Sequence, residues 1–173
     1  MRRALVVGAA LILAGCATTS AEKEPLSAGA DLKDKDGKQV GAATLIQTPE
    51  GVRIAITGYR LPPGPKGLHI HAVGTCQPPE FTTAGAHFNP TGKKHGTQAP
   101  DGPHAGDLPN LVVAANGEGG IDVVNKLVTL TPGPNSLLGA NGTSIVIHAA
   151  ADDMKTDPTG NSGGRIACGV IAK

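Results

Sequence analysis

The chain has no tryptophan, one tyrosine (Tyr59) and two phenylalanines (Phe81 and Phe88). Its core must therefore be built from valine, isoleucine, leucine and alanine, and such a core is modest enough that a covalent or metal staple would add to it. Convincing helical periodicity is absent too. With 25 glycines and 14 prolines in 173 residues, the composition argues against a helical bundle, and many short strands joined by turns are expected. No basic patch interleaved with aromatics occurs, which argues against nucleic acid as a partner. Long apolar runs are also missing. The one candidate, Ala4 to Ala14, is too short to cross a bilayer comfortably.

That apolar run follows the basic start Met1-Arg2-Arg3 and ends in Leu13-Ala14-Gly15-Cys16, the layout of an export signal over residues 1–15. The Leu-Ala-Gly-Cys ending resembles a bacterial lipoprotein signal, which implies cleavage before Cys16 and a lipid on that cysteine. Several acyl chains on one residue would anchor the protein stably. Residues 16–26 would then be the lipidated cysteine and a small, polar tether. The protein is expected outside the cytoplasm, lipid-anchored to the bacterial cell envelope on its periplasmic or outer-surface side. Setting Arg2 and Arg3 aside leaves 13 basic against 14 acidic residues, a net charge near −1 that selects no partner. Of three cysteines, Cys76 and Cys168 remain as an even pair in an oxidising compartment, where a disulfide is expected.

The folded domain is expected over residues 27–173. Strand-like segments run from Ala28 to Lys33, Val40 to Thr48, Val52 to Thr57, Gly67 to Val73, Leu111 to Ala115, Ile121 to Leu130, Thr143 to Ala149 and Arg165 to Ala172. Asp36-Gly37 between the first two is a hairpin signal. Leu61 to Lys66, with three prolines, is read as a connection, because proline cannot continue a central strand. Eight strands and no helix predict an all-β fold: an eight-stranded antiparallel Greek-key barrel or immunoglobulin-like sandwich with long loops. The segment from Gly74 to Asn110 is too long to be an idle loop. Something must hold it.

Five of the six histidines fall between Gly67 and Asn110. In His69-Ile70-His71 the two imidazoles share one face of a strand while Ile70 enters the core. Alone, such a pair is usually ordinary polar surface. With His87, His95, His104 and Asp107 on the loop and His148 downstream, seven candidate ligands stand together in the sequence. They can serve one crowded site, one site with bystanders, or two four-ligand sites sharing a residue. Imidazole suits copper, zinc or nickel, and three histidines with one aspartate suit tetrahedral zinc.

At these residues the sequence closely resembles the copper/zinc superoxide dismutase family. The resemblance rests on Gly67-Leu68-His69-Ile70-His71 with Gly74 and Cys76, Gly85-Ala86-His87-Phe88-Asn89-Pro90, His95-Gly96, His104-Ala105-Gly106-Asp107-Leu108-Pro109-Asn110, and Gly164-Arg165-Ile166-Ala167-Cys168-Gly169-Val170, in family order. It implies one copper and one zinc per subunit. His69, His71, His87 and His148 match the copper ligands; His87, His95, His104 and Asp107 match the zinc ligands, with His87 bridging. Asp152 matches the outer carboxylate that links a histidine of each metal, Arg165 the arginine beside the copper, and Cys76 with Cys168 the family disulfide. Catalysis would fall to His87, as proton carrier, and to Arg165, as anion receptor. The alternative for Arg165 is a solvated surface residue.

Two function classes follow. The leading one is an envelope-anchored enzyme that converts superoxide to peroxide and oxygen; the other is a non-catalytic copper- or zinc-binding envelope protein. The loop from Asp152 to Gly164 is short and poor in charge, so the electrostatic guidance of longer family members is not carried over. A homodimer and a monomer are both compatible with the sequence.

Overall fold

Val52, Ile54 and Ile56 alternate with polar or small neighbours, and all three are completely shielded from solvent while Arg53 and Thr57 are exposed. This period of two is what a strand with one buried face requires. The same alternation places Ala28, Ala30 and Leu32 of β1 (Ser27–Asp34) and Ala43 and Leu45 of β2 (Gln39–Thr48) in one core with β3 (Gly51–Gly58). The register seats Leu45 opposite Ile54, and Ile54 opposite Val123 on a later strand. A computed structural model describes residues 24–173. The expected export signal, the cysteine expected to carry lipid (Cys16) and the expected tether up to residue 23 lie outside the described residues. Leu26 already belongs to the domain, packing on the core and accepting the Gln47 amide at 2.8 Å.

The remaining strands are β4 (Gly64–Lys66), β5 (Leu68–His71), β6 (Leu111–Val113), β7 (Gly119–Asn125), β8 (Ser144–His148) and β9 (Arg165–Val170). All nine pair antiparallel in one sheet, in the order β4-β6-β7-β3-β2-β1-β9-β8-β5. The two end strands, β4 and β5, are joined by Gly67 alone, so the sheet curls back on itself as a nearly closed barrel. Among the described residues, the expected strand count of eight is therefore corrected to nine. The extra strand is β4, inside the segment expected to be only a connection. Pro65 is tolerated there because β4 is an end strand, where one edge needs no donors. The expected strand from Ile121 to Leu130 begins two residues earlier and stops at Asn125, whose buried side chain turns away to bind the Ala105 carbonyl and the Leu127 amide. One short 3-10 turn, Thr82–Ala84, is present where no helix was expected.

The long segment after β5 contains little regular structure but is not loose. It returns along the outer edge of β5, with bridges from His71 to His87 and from His69 to Asp107. The amides of Ile70, Phe88 and Gly106 bond the carbonyls of Gly106, Ile70 and Phe88, each at 2.8 Å. The loop thus covers an edge that would otherwise be unpaired. Gly106 is required for that approach, since a Cβ there would sit 2.3 Å from the Ile70 carbonyl oxygen. The expected disulfide between Cys76 and Cys168 is present and ties the beginning of the loop to β9.

Candidate metal centre

Every candidate ligand is buried. His69 and His71 leave β5 on one side while Ile70 enters the core, as expected, and His148 ends β8 beside Arg165 of β9. The returning loop brings His87, His95, His104 and Asp107 against them. Five buried ring nitrogens have no hydrogen-bonding partner among the described residues: Nδ1 of His69 and His95, and Nε2 of His71, His87 and His148. A buried polar atom without a partner is costly. Five in one cluster need a common explanation.

Hydrogen bonds on the opposite ring atoms decide which nitrogens carry lone pairs. His71 donates from Nδ1 to the Gly85 carbonyl at 2.9 Å, and His148 donates from Nδ1 to the Gly163 carbonyl at 3.1 Å. His69 and His95 both donate from Nε2 to Asp152, at 2.6 and 3.0 Å. In each case the unpartnered nitrogen is left deprotonated and turned inward. His69, His71, His87 and His148 present ligand atoms that lie within 4.8 Å of one another, a group able to hold a metal ion.

A second set forms on the other side of His87. Asp107 Oδ1 lies 3.1 Å from Nδ1 of His87, 3.1 Å from Nδ1 of His95 and 3.4 Å from Nδ1 of His104, and the last is 3.3 Å from His87 Nδ1. A tetrahedron with metal–ligand bonds of about 2.0–2.1 Å has edges of about 3.3 Å, and these four separations match that length. Proximity alone also groups His69 with His87, His95 and Asp107. His104 is the better fourth member, because its Nδ1 stands against both His87 and Asp107 and the free nitrogen of His69 already belongs to the first set. The other oxygen of Asp107 accepts the amides of Gly96 and His104 at 2.8 and 3.0 Å, which leaves Oδ1 for the set. With His104 as the fourth member, His87 is the residue that the two groups share.

The electrostatics suit cation binding. Burial pushes His71 down to about 2, His148 to about 3 and His69 to about 4, in the last case against the Asp152 carboxylate. These imidazoles are neutral, the form in which a histidine can bind a cation. Burial pushes Asp107 upward, but the His87 hydrogen bond and the Gly96 amide hold it at about 2. Asp152 is likewise held below its ordinary range by His69 and His95 despite burial.

Three residues of this arrangement were not assigned roles from the sequence. Asn110 grips the Asp152 backbone on both sides, accepting its amide at 2.8 Å and donating to its carbonyl at 2.9 Å. Gly160 lies against Asp152 and His95. Asp157 accepts the His95 amide at 2.9 Å. Of these, only Asn110 stood inside a quoted motif.

The first ligand group opens on a cleft of ≈ 910 Å³ lined by His71, His87, His148 and Arg165. Arg165 is partly buried, and its guanidinium donates to the carbonyls of Phe81 and Gly85. It is not a free surface residue. Gly85 also accepts from His71, so one carbonyl joins the arginine to a ligand histidine.

Residues 39–171 match the profile of the copper/zinc superoxide dismutase (SODC) family. The chain belongs to that family. It is 49% identical over 150 residues to superoxide dismutase [Cu-Zn] 2 of Aquifex aeolicus, covering 86% of this chain and 88% of that one. With the superoxide dismutase [Cu-Zn] of Caulobacter vibrioides it shares 42% identity over 170 residues, 96% of this chain and 98% of the other. The crystal structure of a superoxide dismutase-like protein from Bacillus subtilis superposes with a TM-score of 0.80 at 39% identity, covering 83% of this chain and 97% of that one. The family uses copper and zinc, and the two groups meeting at His87 fit that pair of ions.

Proposed function

We propose that this protein disproportionates superoxide to hydrogen peroxide and oxygen at a histidine-bridged copper/zinc centre in the cell envelope. The observation that carries this reading is His87, a buried imidazole with one ring nitrogen in each of two ligand sets. In it His69, His71, His87 and His148 hold copper, and His87, His95, His104 and Asp107 hold zinc, one of each per subunit whether the chain acts as a monomer or a homodimer. Bound copper supplies a one-electron acceptor and donor, which redox-inert zinc cannot.

The chain's own residues supply the rest. Arg165, fixed by two carbonyls at the cleft wall, binds the superoxide anion and orients it. His87 Nε2 faces the same cleft and is the atom suited to take up a proton and pass it to the reduced oxygen. Nδ1 of His87, held in the second set, keeps the ring in place during that transfer. Asp152 locks His69 and His95 in one tautomer each, so the two ligand sets are oriented by a single carboxylate. For location, the reading places the domain on a lipid-bearing Cys16.

The metal-loaded protein is expected to dismute superoxide. His148→Ala should abolish activity while zinc stays bound, and Arg165→Ala should slow turnover about tenfold or more with both metals retained. A fully loaded protein without activity would instead support the second reading, a metal-binding envelope protein. One observation weighs against that alternative. No member of the copper-type ligand set is missing, and Arg165 is in place at the wall of the cleft. Cys16→Ser should release the protein from membranes; if it stays bound, the anchor is elsewhere.

A further inference from the structure

In the loop from Asp152 to Gly164 the exposed carboxylates Asp153 and Asp157 are both engaged in hydrogen bonds. Asp153 closes the loop on itself, accepting the amides of Lys155 and Thr156 at 2.9 and 2.8 Å, the Thr156 hydroxyl at 2.6 Å and Asn161 Nδ2 at 2.9 Å. Asp157 reaches instead to the histidine loop. Its Oδ1 accepts the His95 amide at 2.9 Å, and its Oδ2 accepts Lys94 Nζ at 3.1 Å.

The same carboxylate stands beside a second ligand. A histidine that binds metal through Nδ1 carries its proton on Nε2, and that N–H ordinarily has an acceptor which fixes the ring and raises its basicity. His69 and His95 find theirs in Asp152, His71 in Gly85 and His148 in Gly163. For His104 the facing group is Asp157, with Oδ1 at 3.8 Å from Nε2. That distance is longer than a hydrogen bond, and no acceptor is hydrogen-bonded to that nitrogen among the described residues. Asp157 therefore touches or faces two of the three histidines in the zinc-type set, from a different loop.

We infer that Asp157 is a positioning residue of that set, holding His95 by its backbone and facing the His104 ring with a carboxylate, where His69, His71, His95 and His148 have acceptors of their own. The inference rests on the two-metal reading above. It assigns Asp157 of the short loop to metal retention rather than to steering the substrate.

Titrating Co²⁺ alone into the metal-free full chain, against a competing chelator, tests this through the visible bands of tetrahedral cobalt. Asp157→Ala should bind Co²⁺ about 10–100-fold more weakly than the parent, with shifted bands. Asp157→Asn, which keeps an acceptor for the His95 amide, should fall between the two. Lys94→Ala, which removes only an exposed ion pair, should match the parent. Unchanged affinity and bands in Asp157→Ala would overturn the inference and leave the metal reading standing. A parent chain that shows no tetrahedral cobalt bands would overturn both. Should Asp157→Ala fail to fold, Asp157→Asn with parental affinity overturns it equally.

Discussion

Gly160 keeps open a space that the centre needs. A Cβ at this position would lie 1.8 Å from Asp152 Oδ1 and 2.6 Å from His95 Nε2, and its φ of +62° is one that other residues adopt at a cost. Gly160→Ala should therefore combine left-handed backbone strain of about 1–2 kcal/mol with displacement of the carboxylate that orients His69 and His95. Lower urea midpoints and faster loss of metal to a chelator are expected together; a variant that matches the parent in both would show that the contact relaxes freely. The histidines, Asp107, Asp152 and Arg165 were legible in the sequence because their side chains carry the chemistry. Gly160 and Asn110 were not, because one contributes by lacking a side chain and the other by gripping backbone. Asp157 was visible only as a charge in a sparse loop, since its partners lie 62 and 63 positions away in the chain.

Among the elements, alternation revealed β1, β2 and β3, where one buried face imposes a period of two, whereas β5 is buried on both faces and was marked by its paired histidines. Alternation did not reveal β4, which has only three residues and a central proline, nor the stop of β7 at Asn125, which depends on a distant carbonyl. The path of the long loop was also unreadable, because its bonds to β5 are made by backbone. What fixes its first part is the disulfide, which spans 92 positions. The chain-entropy account gives roughly 4–5 kcal/mol for a loop of this size, as an upper bound. The bond also has a local consequence: it holds to β9 the segment whose Phe81 and Gly85 carbonyls fix Arg165. Replacing Cys76 and Cys168 together by serine should lower stability by several kcal/mol. It should also reduce turnover at temperatures where the variant is still folded and metal-loaded. Stability loss without any kinetic change in the loaded, folded protein would uncouple the disulfide from the arginine.

For the whole molecule, the cost of the centre is that several imidazoles are buried in a barrel whose apolar core is small. In the metal-free protein His69, His71 and His148 stay neutral down to about pH 4, 2 and 3, because burial opposes their protonation, and His104 is shifted in the same direction. In the unfolded chain each of them protonates near pH 6.5. Between those limits the unfolded state binds more protons than the folded state, so stability rises with pH and is lost as pH falls. Asp107 and Asp152, held below their ordinary range, add a loss of the same sign at still lower pH. The metal-free protein should thus weaken steeply from pH 7 to pH 5, with a proton uptake on unfolding that approaches three or four. Metal ions competing for the same nitrogens should delay the loss, since each must be displaced before its ligands can protonate. Urea unfolding in the presence of chelator, repeated across this range, measures the slope directly. A metal-free protein equally stable at pH 7 and pH 5 would mean that the histidines are hydrated in solution and that the closed, neutral cluster is not the state that binds metal.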